Sequence, residues 1–312
     1  MKPPFKTLST EDIQYFIFNI KEKFSLELSE KLNPIQIENK TFELEPYYSK
    51  DLQTRILRIG PLIFIEVAGN IFNEDYITPE TLKNRILELK EHLGLLYIDN
   101  MRSILFVRPT VYVENPLPRT RFLLNPHTIL PIAEMLAYCE EFMGKSGLDL
   151  GAGDGLLARV ALRLGAFNMT LIDWNDLQLE KAKVFLDEDG YSKTKIIQEN
   201  LLDHPLPILL KNDPSIQNTH FIVSNIGTHD RIEDGNRASL NIIRELSGIN
   251  LFIHAGYTDH DLQDRTSFLE IQKNLMKIDF NITSYRYFWN PVHSIKRVGV
   301  TALIARKRIP ES

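Results

Sequence analysis

A short apolar run that ends in a glycine-rich turn constrains this chain more than any other feature. The stretch LDLGAGDGLLARVALRLGA, residues 148–166, places Gly151, Gly153 and Gly155 between a strand-like run and an amphipathic helical segment. Glycines at such a turn let the backbone approach a ligand, and the free N–H groups at the helix start favour negative charge. The sequence therefore predicts a ligand site on a strand–turn–helix unit.

The chain from residue 146 onward alternates strand-like and helical patterns. Apolar runs predict strands at 146–150, 169–173, 194–198, 220–225 and 249–255, and helical periodicity predicts helices at about 154–165, 175–190, 236–247 and 262–278. Two more runs rich in β-branched and aromatic residues, 282–289 and 298–307, are joined by a connection too short for a crossover helix. We therefore predict an α/β fold with a mostly parallel, Rossmann-like sheet and a C-terminal antiparallel hairpin.

The first 115 residues have a different pattern, which predicts a smaller α+β domain. Thr78 is expected to cap a helix that starts at Pro79 and ends before Gly94. Several prolines between residues 114 and 128 predict a linker. The predicted domains are thus 1–115, which could recognise the substrate, and 116–312, which carries the glycine turn.

Composition and charge limit the class of protein. The chain has 312 residues, of which 43% are hydrophobic, and its 36 Lys and Arg against 41 Asp and Glu give a net charge of −5. An acidic molecule does not attract a large polyanion as a whole. With one cysteine, Cys139, no evident secretory signal and no apolar run near 20 residues, we expect a cytoplasmic protein without a membrane partner. No metal is expected, and the oligomeric state stays open.

The spacing of the glycines separates two kinds of nucleotide site. A dinucleotide fingerprint, G-x-G-x-x-G, would require a glycine where Leu156 stands. The acid followed by three alternating glycines, together with the terminal hairpin, resembles the class I S-adenosylmethionine-dependent methyltransferases over residues 125–308. The resemblance implies that the turn passes beneath the methionine and ribose portions of that cofactor, at Asp149, Gly151, Ala152, Gly153 and Gly155.

Polar and aromatic residues follow the next two predicted strands. Asp173, about 20 residues beyond the glycines, could accept hydrogen bonds from both ribose hydroxyls or could cap the following helix. By resemblance Trp174 flanks the adenine ring, although an aromatic there could equally be packing. Asn200, helped by the Leu201 backbone, could bind the adenine amino group, with Asp203 as a nearby substitute; a plain polar loop is the alternative.

The end of the fourth predicted strand, SNIGTHD, faces the transferable methyl group in this family. Asn225 and Ile226 resemble the Asn-Ile pair of bacterial methyltransferases that modify lysines of a large-subunit ribosomal protein. His127 and Thr128, in NPHTILPIAEML, are similar to a stretch of the same family. The resemblance implies that Asn225 and Thr128 lie at the cofactor and that Asn225 and His127 line the transfer position.

Transfer to an amine requires the acceptor to lose a proton before it attacks. His127, His229 or Asp230 could take that proton, directly or through water, although His229 and Asp230 could equally cap a loop. The hypothesis is a methyltransferase acting on a protein amine, that is, a lysine or an N-terminal amine. The alternatives are a small-molecule or RNA acceptor, a cofactor-binding scaffold without catalysis, and, disfavoured by Leu156, a nicotinamide-dependent oxidoreductase.

Overall fold

The computed structural model describes residues 18, 27–28, 32–49, 54–67, 78–93, 105–109, 126–192, 194–203, 213–225, 232–246, 248–258, 262–289 and 298–308. The chain divides into two compact units. The first comprises residues 1–125 and 183–191, and the second comprises residues 126–182 and 192–312. The predicted linker, 114–128, lies outside the described residues up to 125, and its last three residues, 126–128, form the start of a helix instead.

The first unit contains a five-stranded sheet and one long described helix. Its strand order is β1-β4-β5-β6-β7, with bounds Glu27–Leu28, Leu44–Ser49, Thr54–Ile59, Leu62–Val67 and Leu105–Pro109. A separate pair, β2 (Ile35–Ile37) and β3 (Lys40–Phe42), forms an antiparallel hairpin. Helix α1, Pro79–Leu93, connects β6 to its parallel neighbour β7. These elements make an α+β unit.

Local signals set the start of helix α1. Thr78 Oγ1 accepts a hydrogen bond from the Thr81 backbone N–H at 3.2 Å, so Thr78 caps the helix as predicted. Pro79 occupies the first helical position, where a missing N–H costs nothing. The predicted helix end at Gly94 lies outside the described residues.

The second unit is built on a seven-stranded sheet with the order β10-β9-β8-β11-β12-β14-β13. The first five strands in that order run parallel, whereas β14 pairs antiparallel with both β12 and β13. This arrangement confirms the predicted α/β fold with a C-terminal antiparallel hairpin. The strands are β8 (Ser146–Leu150), β9 (Asn168–Asp173), β10 (Lys195–Gln198), β11 (Phe221–Ser224), β12 (Leu251–Thr258), β13 (Phe280–Trp289) and β14 (Val298–Lys307).

The helices of this unit follow the predicted order with shifted ends. They are α2 (Pro126–Ala137), α3 (Leu156–Arg163), α4 (Asp176–Glu188, of which residues 183–188 fall in the first unit), α5 (Pro214–Gln217), α6 (Ile232–Glu245) and α7 (Leu262–Lys277). Helix α6 begins four residues before the predicted start at residue 236. The short α5 was not predicted; Asp213 caps it by accepting from the Ser215 N–H, and Pro214 follows at the first position. None of the described helices is long and apolar enough to cross a membrane.

Each face of the parallel sheet carries its own apolar layer. On one face, Ile222 and Phe252 pack in a cluster with Ile243 of α6 and Leu275 of α7. On the other face, the ring of Phe221 meets Phe142 edge-on, with centroids 4.7 Å apart. Because both faces are covered, strand β11 is buried along its whole length, which explains its continuous apolar sequence.

The amino-terminal edge of this sheet is closed by protein atoms. A Cβ added to Gly147 would lie 2.2 Å from the Phe221 ring, so only glycine fits there. Glu141 accepts hydrogen bonds from Arg306 at 2.6 Å and from Lys145 at 2.8 Å. These contacts tie the last strand of the sheet to the turn before β8.

Candidate functional site

The glycine turn lies at the carboxyl end of β8 and is hydrogen-bonded to β9. The backbone N–H groups of Gly151 and Ala152 both donate to the Ile172 carbonyl, at 2.9 and 3.2 Å. All three glycines have positive φ, 71° at Gly151, 52° at Gly153 and 74° at Gly155. Left-handed backbone at three alternate positions is a conformation that side-chain-bearing residues rarely adopt. The turn thus requires the glycines that the sequence shows.

Two of these glycines differ in what surrounds them. A Cβ at Gly155 would meet Leu171 Cδ2 at 2.9 Å and Ala182 Cβ at 3.0 Å, so Gly155 allows close packing of the turn against its neighbours. Among the described residues, no atom would lie within 4 Å of a Cβ at Gly153. Gly155 therefore serves the packing of the protein, whereas Gly153 presents bare backbone toward open space.

Asp149 lies buried at the end of β8, beneath the turn. Its Oδ2 accepts the Ala158 backbone N–H at 2.9 Å, in the first turn of α3. The residue at the cap position, Gly155, has no side chain, so Asp149 supplies the cap from the neighbouring strand. Its other oxygen, Oδ1, is buried and makes no hydrogen bond. A buried oxygen without a donor is a position that water or a bound molecule can satisfy.

The environment of Asp149 favours its protonated form. Burial raises the pKa of Asp149 to about 8, an effect that the Ala158 N–H opposes and the charges of Asp173 and Asp154 reinforce. Because a positive group near Oδ1 would favour the ionised form, the carboxyl is suited to a cationic ligand group.

Asp173 ends strand β9 and faces the glycine turn. Its Oδ2 accepts the Gly153 N–H at 2.8 Å, and its Oδ1 accepts the Asn175 N–H at 2.9 Å. Asn175 Oδ1 in turn accepts the Gln178 N–H at 3.2 Å, so Asn175 is the residue that caps α4. An ionised carboxylate has about four acceptor positions, which leaves Asp173 able to accept two further donors.

An exposed aromatic side chain stands directly after Asp173. Trp174 is 61% exposed, although tryptophan is usually well covered in folded proteins. Its exposure does not support the alternative that it packs in the protein interior. The ring is thus accessible beside the carboxylate.

The end of β10 is joined to the end of β9. The Glu199 N–H donates to the Asp173 carbonyl at 2.8 Å, and Asn200 follows. The side-chain oxygen of Asn200 accepts the Leu202 N–H at 3.1 Å, while its amide nitrogen donates to Asp203 Oδ2 at 2.5 Å. The Asn200 amide, which we predicted to bind the adenine amino group, is therefore used in hydrogen bonds within its own turn. The exposed Asp203 carboxylate lies beside it.

Asn225 follows strand β11 and is attached to the glycine turn through the backbone. Its N–H donates to the carbonyl of Leu150, the residue just before Gly151, at 2.9 Å. The side chain of Asn225 is half-buried. Asn225 therefore begins the loop next to the glycine turn, as the order of the strands requires.

Buried polar residues behind Asn225 were not predicted. Ser224 Oγ lies 3.0 Å from Ser239 Oγ of α6, and both side chains are buried. A signal existed in the sequence of α6, where Asn236 and Ser239 interrupt the apolar face three residues apart. That pattern does not show which strand Ser239 contacts.

Several predicted residues are placed only in part. Thr128 lies half-buried in the first turn of α2, and His127 belongs to the same turn, with its side chain outside the described residues. His229 and Asp230 also lie outside the described residues. Leu201 is buried beside Asn200. In the described ranges, no group of three or more His, Cys, Asp or Glu side chains could hold a metal ion.

The backbone contacts bring the main predicted positions to one edge. Gly153 is bonded to Asp173, and Asn225 is bonded to Leu150. Because β9, β8 and β11 are neighbours and run parallel, their carboxyl ends form a continuous edge. In open α/β sheets, ligands bind at that edge.

No family model matches the sequence, and no curated protein matches it. Among solved structures, a ribosomal protein L11 methylase from Lactobacillus delbrueckii subsp. bulgaricus is 20% identical over 58% of this chain and 79% of its own, with a TM-score of 0.39. An O-methyltransferase from Bacillus cereus, in complex with SAH, is 12% identical over 59% and 82%, with a TM-score of 0.43.

A third similar structure, the methyltransferase domain of METTL16, is 14% identical over 77% of this chain and 87% of its own, with a TM-score of 0.45. Similarity at sequence identities of 12–20% concerns the fold and says nothing about function. In the second unit, β14 is inserted between β12 and β13, which gives the mostly parallel sheet with a C-terminal antiparallel hairpin that the sequence predicts.

Proposed function

We propose that this chain is an S-adenosylmethionine-dependent methyltransferase. The observation that carries the proposal is the junction of Asp173 with the glycine turn. A carboxylate with spare acceptor positions is held against Gly153, the glycine whose surroundings are open. Such a junction suits a nucleoside whose ribose hydroxyls bind the carboxylate while the rest of the molecule crosses the turn.

The residues at the edge fit the parts of this cofactor. Asp173 would accept the ribose hydroxyls, and Trp174 and the Asp203 carboxylate would contact the adenine ring and its amino group. The buried Oδ1 of Asp149 would accept from a donor of the methionine portion, which is cationic. When bound, the cofactor supplies a methyl group on a positively charged sulfur.

The protein's own contribution to transfer would be mainly position. Asn225, joined through its N–H to Leu150, begins the loop beside the turn. Its amide could hold an acceptor in line with the methyl group, and alignment of two reactants supplies a large part of the acceleration in such reactions. The proton of an amine acceptor would leave to water or to one of His127, His229 and Asp230.

We further propose that the acceptor is a protein amine, presented by the first unit. Asn225 and Ile226 stand where the methyltransferases of bases and amides carry a Pro-Pro-aromatic motif. The net charge of −5 does not favour a large polyanion such as RNA. These two observations support an amine over RNA or a small molecule.

The cofactor proposal is tested by the affinity of S-adenosylhomocysteine, measured by titration calorimetry with NAD as the comparison ligand. We expect micromolar binding of S-adenosylhomocysteine and none of NAD. Asp173→Ala should weaken binding by about 1.5–3 kcal/mol, because hydrogen bonds to a charged acceptor are lost.

A matched control is the neighbouring carboxylate, Asp176, which is exposed in the first turn of α4. Asp176→Asn should leave the affinity unchanged. Equal affinities in wild type and Asp173→Ala would remove the assigned ribose contact, and binding of NAD alone would replace the methyltransferase with a dehydrogenase.

The acceptor is tested by transfer of a labelled methyl group from S-adenosylmethionine into a fractionated cell extract. We expect label in protein, with a rate that rises with pH as the lysine ammonium, of reference pKa about 10.4, deprotonates. Asn225→Ala should lower the rate more than the cofactor affinity. Label confined to RNA or to small molecules would contradict the amine acceptor and leave the cofactor proposal intact.

A further inference from the structure

A buried polar cluster lies directly behind Asn225, at the carboxyl ends of two neighbouring strands. Ser224 of β11 and His254 of β12 are register partners in the parallel sheet, so their side chains point to the same face. Helix α6 covers that face with Asn236 and Ser239. All four side chains are at most 5% exposed, and we call this group the strand-end cluster.

The strand-end cluster interrupts an otherwise apolar layer. Two residues back along the same strands, on the same face, Ile222 and Phe252 pack with Ile242 and Ile243 of α6. Apolar side chains would fill the position of Ser224 as well and would not require partners. Polar groups are found there instead, in a place where an unmade hydrogen bond is costly.

The contact within the cluster has a defined geometry. The two hydroxyl oxygens of Ser224 and Ser239 lie 3.0 Å apart, within hydrogen-bond distance and shielded from water. Apolar contacts tolerate sliding of a helix along a sheet, whereas a directional hydrogen bond favours one register. The bond therefore sets where α6 lies along β11, and with it the end of the strand.

The position of α6 along β11 affects Asn225. That residue follows Ser224 directly, and its N–H is bonded to the Leu150 carbonyl on the other side. The backbone entering the loop is thus fixed from two directions, through Ser224 to α6 and through Asn225 to β8. A shift of Ser224 would displace the Asn225 side chain.

We propose that the Ser224–Ser239 hydrogen bond is a positioning device that holds the Asn225 amide at the methyl-transfer position. The proposal rests on the proposed function of the site. Ser224 and Ser239 act through Asn225 and touch neither the cofactor nor the acceptor. The prediction is that their loss affects recognition at the methyl position while recognition of the nucleoside remains.

The test compares two ligands that differ at the methyl position. Sinefungin is an analogue of S-adenosylhomocysteine in which a carbon bearing an amine replaces the sulfur. Its ammonium donates to an amide oxygen near the methyl position, whereas S-adenosylhomocysteine offers no donor there. The ratio of the two affinities, measured by calorimetry, therefore reports the position of Asn225 without a known acceptor.

We expect Asn225→Ala to lower sinefungin affinity about tenfold and S-adenosylhomocysteine affinity less than about twofold, since one hydrogen bond to a charged donor is lost. Ser224→Ala and Ser239→Ala should each lower the ratio of sinefungin affinity to S-adenosylhomocysteine affinity about threefold to fivefold, because Asn225 is displaced. Both variants also leave one buried hydroxyl without its partner, so each should lose thermal stability.

The double variant S224A/S239A separates position from stability. With both hydroxyls gone, neither serine is left with an unpaired buried hydroxyl, so the melting temperature should recover part of the loss while the affinity ratio stays low. Ile242→Val, a loss of one methylene in the same layer, is the matched control and should lower stability without changing the ratio.

Each outcome bears on a different statement. The positioning role would be overturned if both single variants kept the wild-type affinity ratio. It would also be overturned if the ratio recovered together with the melting temperature in the double variant. Failure of the wild type to bind S-adenosylhomocysteine would overturn the proposed function itself.

Discussion

The two edges of the parallel sheet use the same residue type for opposite purposes. At the amino-terminal edge, Gly147 is glycine because the Phe221 ring occupies the space that a Cβ would need. At the carboxyl edge, six residues later, Gly153 is glycine because its φ of 52° is left-handed, and no atom of the described residues would lie within 4 Å of its Cβ. The first glycine serves the packing of the fold, and the second serves the path of the backbone through the turn. Gly144 and Gly190 have equally open surroundings, so the Gly153 N–H that donates to Asp173, and not open space alone, distinguishes this turn.

The carboxylates of the two edges show the same contrast. Burial acts to raise the pKa of Glu141, at the amino-terminal edge, but hydrogen bonds and charges from Lys145 and Arg306 outweigh it and lower that pKa. Burial raises the pKa of Asp149, at the carboxyl edge, to about 8, and within the described residues one backbone N–H opposes this effect but no cation does. One carboxylate is satisfied within the protein, and the other is not.

The largest expected effect comes from exchanging the two glycines for alanine. Gly147→Ala should cost about 3 kcal/mol of unfolding free energy, because its Cβ meets a buried ring that cannot move freely. Gly153→Ala should cost about 1–2 kcal/mol for the left-handed backbone, yet lower the affinity for S-adenosylhomocysteine about tenfold or more. Urea unfolding and calorimetry measure the two effects. If Gly153→Ala bound the ligand as well as wild type, the contrast between the edges would be lost.

A smaller effect is expected from the pH dependence of stability. Since the pKa of Asp149 is raised in the folded protein, the folded state holds a proton that the unfolded state releases above its ordinary pKa of about 3.9. The contribution of this group to the unfolding free energy is complete below that value and is lost as pH rises through about 8. Urea unfolding at several pH values between 5 and 9 should show this decline.

Asp149→Asn is the variant that sharpens this measurement. Its amide oxygen can still accept the Ala158 N–H, but it does not titrate, so the variant should show a weaker decline than wild type. Burial also raises the pKa of Glu134 well above its usual value, but that group is common to both proteins and cancels in the difference. Parallel pH profiles in the two proteins would show that Asp149 is ionised without a ligand.

The smallest effect is expected at the amino-terminal edge. Glu141→Gln should cost less than about 1 kcal/mol at neutral pH, because its partners Lys145 and Arg306 are partly exposed to solvent. Since the pKa of Glu141 is lowered, this stabilisation is present above the ordinary glutamate pKa and disappears as pH falls through the lower folded-state value. Glu140→Gln, at the exposed neighbouring position, is the control for thermal unfolding at pH 7 and pH 3. Ligand affinity should not change in either variant.

The sequence could predict those features that depend on near neighbours in the chain. The turn at Gly151, Gly153 and Gly155 was predictable because each strained position needs glycine whatever surrounds it. The C-terminal hairpin was predictable because a short connection permits only antiparallel pairing. The Thr78 cap needed only the residues that follow it.

Features that depend on distant contacts were not predictable. The reason for Gly147 lies in Phe221, and the partner of Ser224 lies on a helix that begins after a further loop. The cap of α3 comes from Asp149, because the local cap position is a glycine. Asn200 had the right chemistry for an adenine contact, but its amide bonds to Leu202 and Asp203, a local competition that residue type does not reveal.

The place of β14 in the sheet has a consequence for synthesis on the ribosome. This strand, Val298–Lys307, comes after every other strand of the sheet in the chain, yet it lies between β12 and β13 and pairs with both. Until its residues emerge from the exit tunnel, β12 presents an unpaired edge, and β13 has no neighbour to join. At translation rates of about 5–20 residues per second, that edge stays open for several seconds after β12 appears. Newly made chains are therefore exposed to edge-to-edge association, and chaperones that cover open strands would have their greatest effect in that interval.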